Sequence, residues 1–275
     1  MAEVIDGRKI AANVYKEIKE GIEGCEIGIV RSTGEDAEIY AGVVKRTAKM
    51  LSVGCKEICL DTTSTLSDVI DAINGLESTD GIVLMGFRHL DLEYVYTHLP
   101  EEKDIEGMCP KHLGYLYRNV FLDAPFPCTP SAVMRIIDEV GFELEGKDVC
   151  IINHSPVIGK PLATMMLNRN ATVSVCHAFT KNLSQHTQNA DVLVCGVGIP
   201  GFLKPEMVKT NAFIIDCGMN RVDGKIVGDA EFEKVVENCS YITPVPGGVG
   251  PVTTSMLFLN LAKLLKQKKI TKKID

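Results

Sequence analysis

Short apolar runs alternate with longer segments of helical period along almost the whole of this 275-residue chain, and that alternation narrows the fold more than any other feature. Glu26 to Val30, Lys56 to Leu60 and Gly81 to Met85 have strand length and are rich in Ile, Val and Leu. Around them, Asp6 to Ile22 repeats Ile10, Val14, Ile18 and Ile22 on one helix face. Ala37 to Ser52, Leu66 to Asn74 and Asp91 to His98 read as further helices. A second series follows, with strands at Val149 to Ile152, Thr172 to Cys176, Val192 to Cys195, Ala212 to Asp216 and Ser240 to Ile242. Helices fit between them from about Lys160, Leu183, Pro205 and Ala230. Strands joined through helices pair in parallel, so the pattern predicts an α/β fold on parallel sheets.

Length and composition set the bounds. A chain of 275 residues exceeds one typical domain, and two are expected. Gly107 to Phe126 lacks a clear period, which places the boundary near Leu122 to Pro127 and the domains at about 1–122 and 123–251. Cys128-Thr129-Pro130-Ser131 then opens a helix, with Thr129 as the expected N-cap and Pro130 at the first helical position. The net charge of −7 argues against a nucleic-acid partner, and the basic tail Lys266 to Lys273 reads as a solvated helix end. The 10 cysteines are scattered through apolar runs without CxxC spacing, which predicts buried free thiols in a reducing compartment and no metal ligand set. No signal peptide or membrane-length apolar run is apparent, so a cytoplasmic protein with no membrane partner is expected.

Several loops carry more specific signals. In Ile242-Thr243-Pro244-Val245-Pro246-Gly247-Gly248-Val249-Gly250-Pro251-Val252-Thr253-Thr254-Ser255-Met256, prolines fix φ while glycines permit close backbone approach. An amphipathic helix from Thr253 to Leu265 is expected to follow. Turn chemistry alone reads this run as a structural turn; a rigid loop entering a helix start also makes a cradle for an anion or polar ring. Asn153-His154-Ser155-Pro156-Val157-Ile158-Gly159-Lys160-Pro161 stands between a strand and a helix, where a pyrophosphate binds in doubly wound folds, although G-x-G-x-x-G is absent. Cys195-Gly196-Val197-Gly198-Ile199-Pro200, Ile215-Asp216-Cys217-Gly218-Met219-Asn220 and Val227-Gly228-Asp229 each read, singly, as a turn beside a strand.

Together, and in this order, these segments resemble the methylenetetrahydrofolate dehydrogenase/cyclohydrolase family, whose signature is similar to the PVPGGVGPVT run. The resemblance implies two α/β domains flanking a cleft, the second Rossmann-like, with the C-terminal helix (252–275) returning to the first. It implies a homodimer that oxidises 5,10-methylenetetrahydrofolate to the methenyl cation with NADP+ and hydrolyses that cation to 10-formyltetrahydrofolate, in one-carbon metabolism and purine biosynthesis. The cofactor residues carried over are Asn153, His154, Ser155, Gly159, Pro161, His177, Gly196, Val197, Gly198, Asp216 and Gly218. Asn153 and His154 stand where the family has Gly and Arg, and Ala178 follows Cys176-His177 where it has Ser. That Arg and Ser face the 2′-phosphate in the family. NADP is therefore the expected cofactor with NAD as the alternative, His154 being a pH-dependent phosphate partner helped by His177, Lys160 or Lys181.

The same resemblance implies a folate site. Ala37-Glu38-Ile39-Tyr40 matches S-x-x-Y, which makes Tyr40 a substrate-binding and catalytic residue. The family's catalytic lysine lies four residues further on, where this chain has Val44. Lys45 takes the role if a one-residue bulge turns it toward Tyr40, with Lys49 second. Met85 stands at the position of a glutamine that hydrogen-bonds that lysine. Pro100 to Gly107 resembles P-x-K-D-V-D-G with one inserted residue, making Glu106 the pterin anchor and Asp104 a capping residue or a partner of Lys103. Pro246, Gly247 and Gly248 are expected to line the folate site from the second domain. Val44 and Met85 also motivate a dehydrogenase without cyclohydrolase activity. A non-catalytic dinucleotide-binding regulator and an amino-acid or shikimate-type dehydrogenase are the remaining alternatives; the folate-type loop speaks against the last.

Overall fold

A computed structural model describes residues 2–87, 89–121 and 123–271. Arg88 at the end of the third strand motif, Leu122 at the expected boundary and residues 272–275 of the last helix and basic tail lie outside the described residues. In chain order the elements are β1 (Glu3–Val4), α1 (Gly7–Ile22), β2 (Glu26–Ser32), α2 (Glu35–Met50), β3 (Gly54–Leu60), α3 (Leu66–Asn74), β4 (Gly81–Met85), α4 (Leu92–Tyr96) and α5 (Pro110–Arg118). They continue with α6 (Cys128–Glu139), β5 (Asp148–Ile152), α7 (Gly159–Leu167), β6 (Thr172–Cys176), α8 (Leu183–Thr187), β7 (Val192–Cys195) and β8 (Ala212–Asp216). The last are β9 (Asn220–Val222), β10 (Lys225–Val227), α9 (Phe232–Val235), β11 (Cys239–Ile242) and α10 (Val249–Thr271). The chain is α/β and divides into two units: Met1–Asn13 with Pro127–Met256, and Val14–Phe126 with Leu257–Asp275.

In the first of these, a six-stranded parallel sheet has the order β1-β11-β8-β7-β5-β6. Its central strands β7 and β8 are short apolar runs buried at every position, as parallel strands covered by helices must be. Cys150, Ile152, Leu193, Cys195, Ile214 and Ile242 meet in one core cluster with Val235. In the other unit a three-stranded parallel sheet of order β3-β2-β4 packs Val30, Ile82 and Leu84 against Val69 and Ile73 of α3 and Val95 of α4. Thr65 starts α3 with a capping box to Asp68, and Glu35, Asp36 and Glu38 put negative charge at the start of α2, where the helix dipole favours it.

Several local readings change. β1 pairs in parallel with β11, Glu3 opposite Tyr241 and Val4 opposite Ile242, so the first residues join the larger sheet instead of the 1–122 domain. Two residues are too few to show a period. The irregular-looking stretch after Gly107 contains α5, entered through Pro110 and closed by Asn119 in the left-handed region (φ 53). Its buried side chains, His112 and Leu116, form a single i, i+4 pair, too little for a pattern to register. α6 begins at Cys128 after Pro127, without the side-chain cap expected from Thr129. Pro205–Met207 is a single 3-10 turn. The hairpin β9–β10 falls within the loop after β8. α10 starts at Val249, ahead of Pro251, whose missing N–H is harmless in a first turn. From Val252 to Leu261 that helix is buried on nearly every side, not on one stripe as an amphipathic helix would be.

Candidate functional site

Register places the motif-bearing loops of the larger sheet at one edge. Ile152 lies opposite Cys176 and Cys195, Cys195 opposite Asp216, and Ile214 opposite Ile242. The loops beginning at Asn153, His177, Gly196, Cys217 and Thr243 all leave from these carboxyl ends. Chain order turns from one side of β5 to the other between β6 and β7, so the loops after β5 and β7 flank the switch point at which doubly wound sheets bind ligands. The side chain of Asn153 ties these loops together. Its Nδ2 donates to Gly196 O (2.6 Å), and its Oδ1 accepts from the N–H groups of Ser155 (2.9 Å) and Gly159 (3.0 Å). Ser155 Oγ in turn accepts from Ile158 N–H (3.1 Å). Gly159 is obligatory, because a Cβ there would overlap the carbonyl of Asn153. Pro161 is buried in the first turn of α7.

Beyond this turn His154 and His177 are exposed, their rings 4.9 Å apart. Phe179 N–H donates to His177 Nδ1 (3.2 Å), which makes that nitrogen the acceptor of the ring. The segment after β6 reads His177-Ala178-Phe179-Thr180-Lys181, without the carboxylate that would hold a ribose diol. This donor set suits a dinucleotide carrying an extra phosphate.

Asp216 takes a different place from the one the motif implies. It is buried, and its carboxylate accepts from the N–H groups of Gly218 (2.8 Å), Asp229 (3.1 Å) and Ala230 (2.8 Å). Burial pushes its carboxyl up, against the pull of those amides. It supports the site from below. Asp229, absent from the residues the motifs single out for cofactor contact, is also buried and accepts from Val197 N–H (2.6 Å), Gly198 N–H (3.0 Å), Ile199 N–H (3.0 Å) and Asn220 Nδ2 (2.8 Å). A Cβ on Gly218 would strike the Asp229 carboxylate, and one on Gly228 would strike that of Asp216. The V-G-D spacing was the available signal, readable only once its amide partners were known.

The smaller sheet gathers the other group. β2 and β4 end together, Arg31 opposite Met85, and Ser32 Oγ donates to Gly86 O (2.9 Å). Gly86 has φ +84, and a Cβ on it would come within 2.5 Å of the Ala37 side chain, so the start of α2 packs directly on the end of β4. Tyr40 is half-buried on the second turn of α2, and Met85 is buried at the strand end. Alongside β4, Asp104 bridges to Ile82, and Glu106 Oε2 accepts from Leu84 N–H (2.9 Å) and Tyr96 OH (3.3 Å). Glu106 keeps some solvent exposure while protein surrounds its carboxyl, and burial pushes that carboxyl from 4.5 up to about 8. Asp104 is fully buried and accepts from Gly107 N–H (2.9 Å), Cys109 N–H (2.7 Å) and His112 Nδ1 (2.9 Å). Lys103 donates instead to the carbonyls of Glu77 and Thr79. Ligand-type atoms of Asp104, Cys109 and His112 lie within 4.8 Å of one another, but these amide and imidazole bonds already occupy the carboxylate. The cluster braces the turn that carries Glu106.

Lys45 is not brought to Tyr40. α2 is regular from Glu35 to Met50, without a bulge, so five residues separate the two by roughly 140° around the axis. Lys45 donates to Glu57 Oε2 on β3 (2.8 Å), and Glu57 also takes Arg31 Nε (2.6 Å). The Lys45 bond, more than Arg31, holds the Glu57 carboxyl below its ordinary value. Val44 occupies the i+4 position and is buried with Ala37, Ala41 and Ala48 on the core face.

In the larger unit, Val245–Pro246 is cis, Gly247 has φ +110, and Gly248 N–H donates to Pro244 O (2.8 Å) before α10 begins. A Cβ on Gly248 would fall 2.6 Å from Pro244 O, and one on Gly7 would overlap the carbonyl of Gly248. The glycines therefore serve close backbone packing of this loop on the start of α1.

Comparison with known proteins agrees with this geometry. Residues 127–269 match the tetrahydrofolate dehydrogenase/cyclohydrolase NAD(P)-binding domain model. The bifunctional protein FolD of Sulfurovum sp. is 40% identical over 281 residues, 97% of this chain and 99% of that protein. The crystal structure of the bifunctional FolD dehydrogenase/cyclohydrolase of Campylobacter jejuni superposes with a TM-score of 0.90 at 35% identity, over 98% of this chain and 100% of the other. The Trypanosoma brucei dehydrogenase–cyclohydrolase, solved with NADP cofactor and an inhibitor, gives 0.91 at 29% identity over 98% of each chain.

Proposed function

Because the chain belongs to the tetrahydrofolate dehydrogenase/cyclohydrolase family, we propose that it oxidises 5,10-methylenetetrahydrofolate to the methenyl cation with NADP+ and hydrolyses the product to 10-formyltetrahydrofolate. The observation that carries the folate half is Glu106: a carboxyl enclosed by protein and bonded to Leu84 of β4, the strand that ends at Met85 and packs on the start of α2, where Tyr40 lies. A pterin amino group and ring N–H donating to this carboxyl would supply the hydrogen bonds that burial withholds and draw it from its acid form to the carboxylate that accepts both. Tyr40 offers a flat ring against which the folate lies, and Met85 an apolar wall. When bound, the nicotinamide supplies the hydride acceptor. Asn153, His154, Ser155, Gly159, His177 and the Gly196–Gly198 loop would hold the dinucleotide, His154 and His177 facing its 2′-phosphate.

The test is direct. Methenyltetrahydrofolate absorbance is followed with NADP+ and NAD+ in parallel; formation with NADP+ at the higher kcat/KM is expected, and no methenyl product with either cofactor refutes the reading. A second reading, dehydrogenase without hydrolysis, is favoured by the Lys45–Glu57 pair and by Val44 in the core. Under it, methenyl product accumulates in full proportion to cofactor reduced; under the first, 10-formyltetrahydrofolate replaces it. We also read the chain as a homodimeric cytoplasmic enzyme, which sedimentation velocity and cell fractionation test. No helix among the described residues is long and apolar enough to cross a membrane.

A further inference from the structure

We infer that Asp229 is a positioning residue for the dinucleotide: it gives the loop after β7 its shape by drawing three consecutive backbone N–H groups onto one carboxylate. The inference rests on the cofactor reading above. A buried carboxylate without a cation is costly unless hydrogen bonds replace its lost hydration. Asp229 is fully buried and receives five donors: Val197 N–H (2.6 Å), Gly198 N–H (3.0 Å) and, more weakly, the Cys195 thiol (3.9 Å) on Oδ2, and Ile199 N–H (3.0 Å) and Asn220 Nδ2 (2.8 Å) on Oδ1. Three successive amides pointing at one centre make a concave turn that an unsupported Gly-Val-Gly segment would not hold, because glycine has many conformations to lose.

Asp229 is itself fixed from beneath. Its N–H donates to Asp216 Oδ1 (3.1 Å), and that of Ala230 to Asp216 Oδ2 (2.8 Å). Its carbonyl accepts from Leu203 N–H (2.9 Å), closing the far side of the same loop. Gly218 and Gly228 are glycines because any side chain there would meet one of the two carboxylates. The consequence reaches the ligand side. With its N–H groups turned toward Asp229, and Gly196 O engaged by Asn153 Nδ2 (2.6 Å), the loop offers the dinucleotide a packing surface and not an anion cradle. Gly198, where an added Cβ would meet open space, is exposed on that surface. The shape of the turn, and hence Asp229, sets how well the cofactor seats.

The experiment compares wild type, Asp229→Asn and Asn220→Ala by calorimetric titration with NADP+ and NAD+, by KM for each substrate, and by circular dichroism. Asp229→Asn sets an amide N–H₂ among donors. Its Kd and KM for the dinucleotide should rise at least tenfold while the folate KM stays within about twofold. Asn220→Ala removes one donor and should raise the dinucleotide Kd two- to fivefold. A merely structural role predicts lower thermal stability with unchanged Kd in the folded fraction; that result overturns the inference. If Asp229→Asn does not fold, Asn220→Ala decides: an unchanged dinucleotide Kd overturns it. Wild type that binds neither dinucleotide overturns the cofactor reading itself, and the inference with it.

Discussion

Replacing Glu106 by Gln removes a carboxyl that the fold holds in its protonated form up to about pH 8, and the effect on stability has a definite sign. Below pH 4.5 the group is protonated in folded and unfolded chain alike and contributes no pH dependence. As pH rises from 4.5 to about 8, the unfolded chain releases the proton and the folded chain retains it. Stability therefore falls across that window and the loss is complete above it. Each tenfold step in the proton equilibrium is worth about 1.4 kcal/mol. Burial is the first cause; the Leu84 amide works against it, and residual exposure of the residue softens it. Between about pH 5.5 and pH 8.5 the expected loss is on the order of 3 kcal/mol. Gln keeps an acceptor for Leu84 N–H and cannot ionise, so the variant lacks this term. Urea unfolding of both proteins across the range cancels every other titrating group in the difference. Wild type should lose stability relative to Glu106→Gln by that amount as pH rises. A difference constant within about 0.5 kcal/mol would show that Glu106 is not held as a buried acid, and the enclosed carboxyl argued for the pterin would lose its basis.

Four further outcomes are expected. His154→Ala should weaken NADP+ binding about tenfold and leave NAD+ within twofold; equal losses for both cofactors in titration calorimetry would remove His154 from the 2′-phosphate. Lys45→Gln should leave methenyl formation within about twofold, since the amine is held at Glu57 around the helix from Tyr40; a tenfold fall would bring Lys45 to the reacting carbon. Asn260→Leu removes Nδ2 bonds to the buried carbonyls of Ile105 and Phe126, both 2.9 Å, and should cost about 2–4 kcal/mol in urea unfolding; a loss under 1 kcal/mol would mean those carbonyls find other partners. Gly7→Ala drives a methyl into Gly248 O and should cost about 1–3 kcal/mol in urea unfolding by pushing the Pro246–Gly248 loop off the start of α1; a loss under about 0.5 kcal/mol would mean that this loop yields without strain.

How far the fold could be read in advance depended on the length of each signal. Runs such as Val192 to Cys195 and Ala212 to Asp216 are apolar at every position, because parallel strands are covered on both faces, and they are strands where expected. The helix α1 follows its apolar repeat closely, and α2 and α3 stand within two residues of the expected spans. β1, the hairpin β9–β10 and α5 escaped because two, three or nine residues with few buried positions carry no period. Thr129 looked like an N-cap by residue type, yet the backbone enters the helix two residues earlier, with Pro127 at the cap.

The candidate site divides along the same line. Sequence by itself determined which loops matter: a motif records residue types at fixed spacing, and glycines that permit close approach, such as Gly159, Gly218 and Gly248, are visible as letters. Tertiary structure alone decided what those residues touch. Asp216 turned from an expected cofactor contact into a support, Asp229 into the centre of a loop, and Lys45 into the partner of Glu57 across to β3. Hydrogen-bond partners thirty or more residues apart, as Val197 and Asp229 are, become neighbours only through the register of parallel strands, and no local pattern encodes that distance.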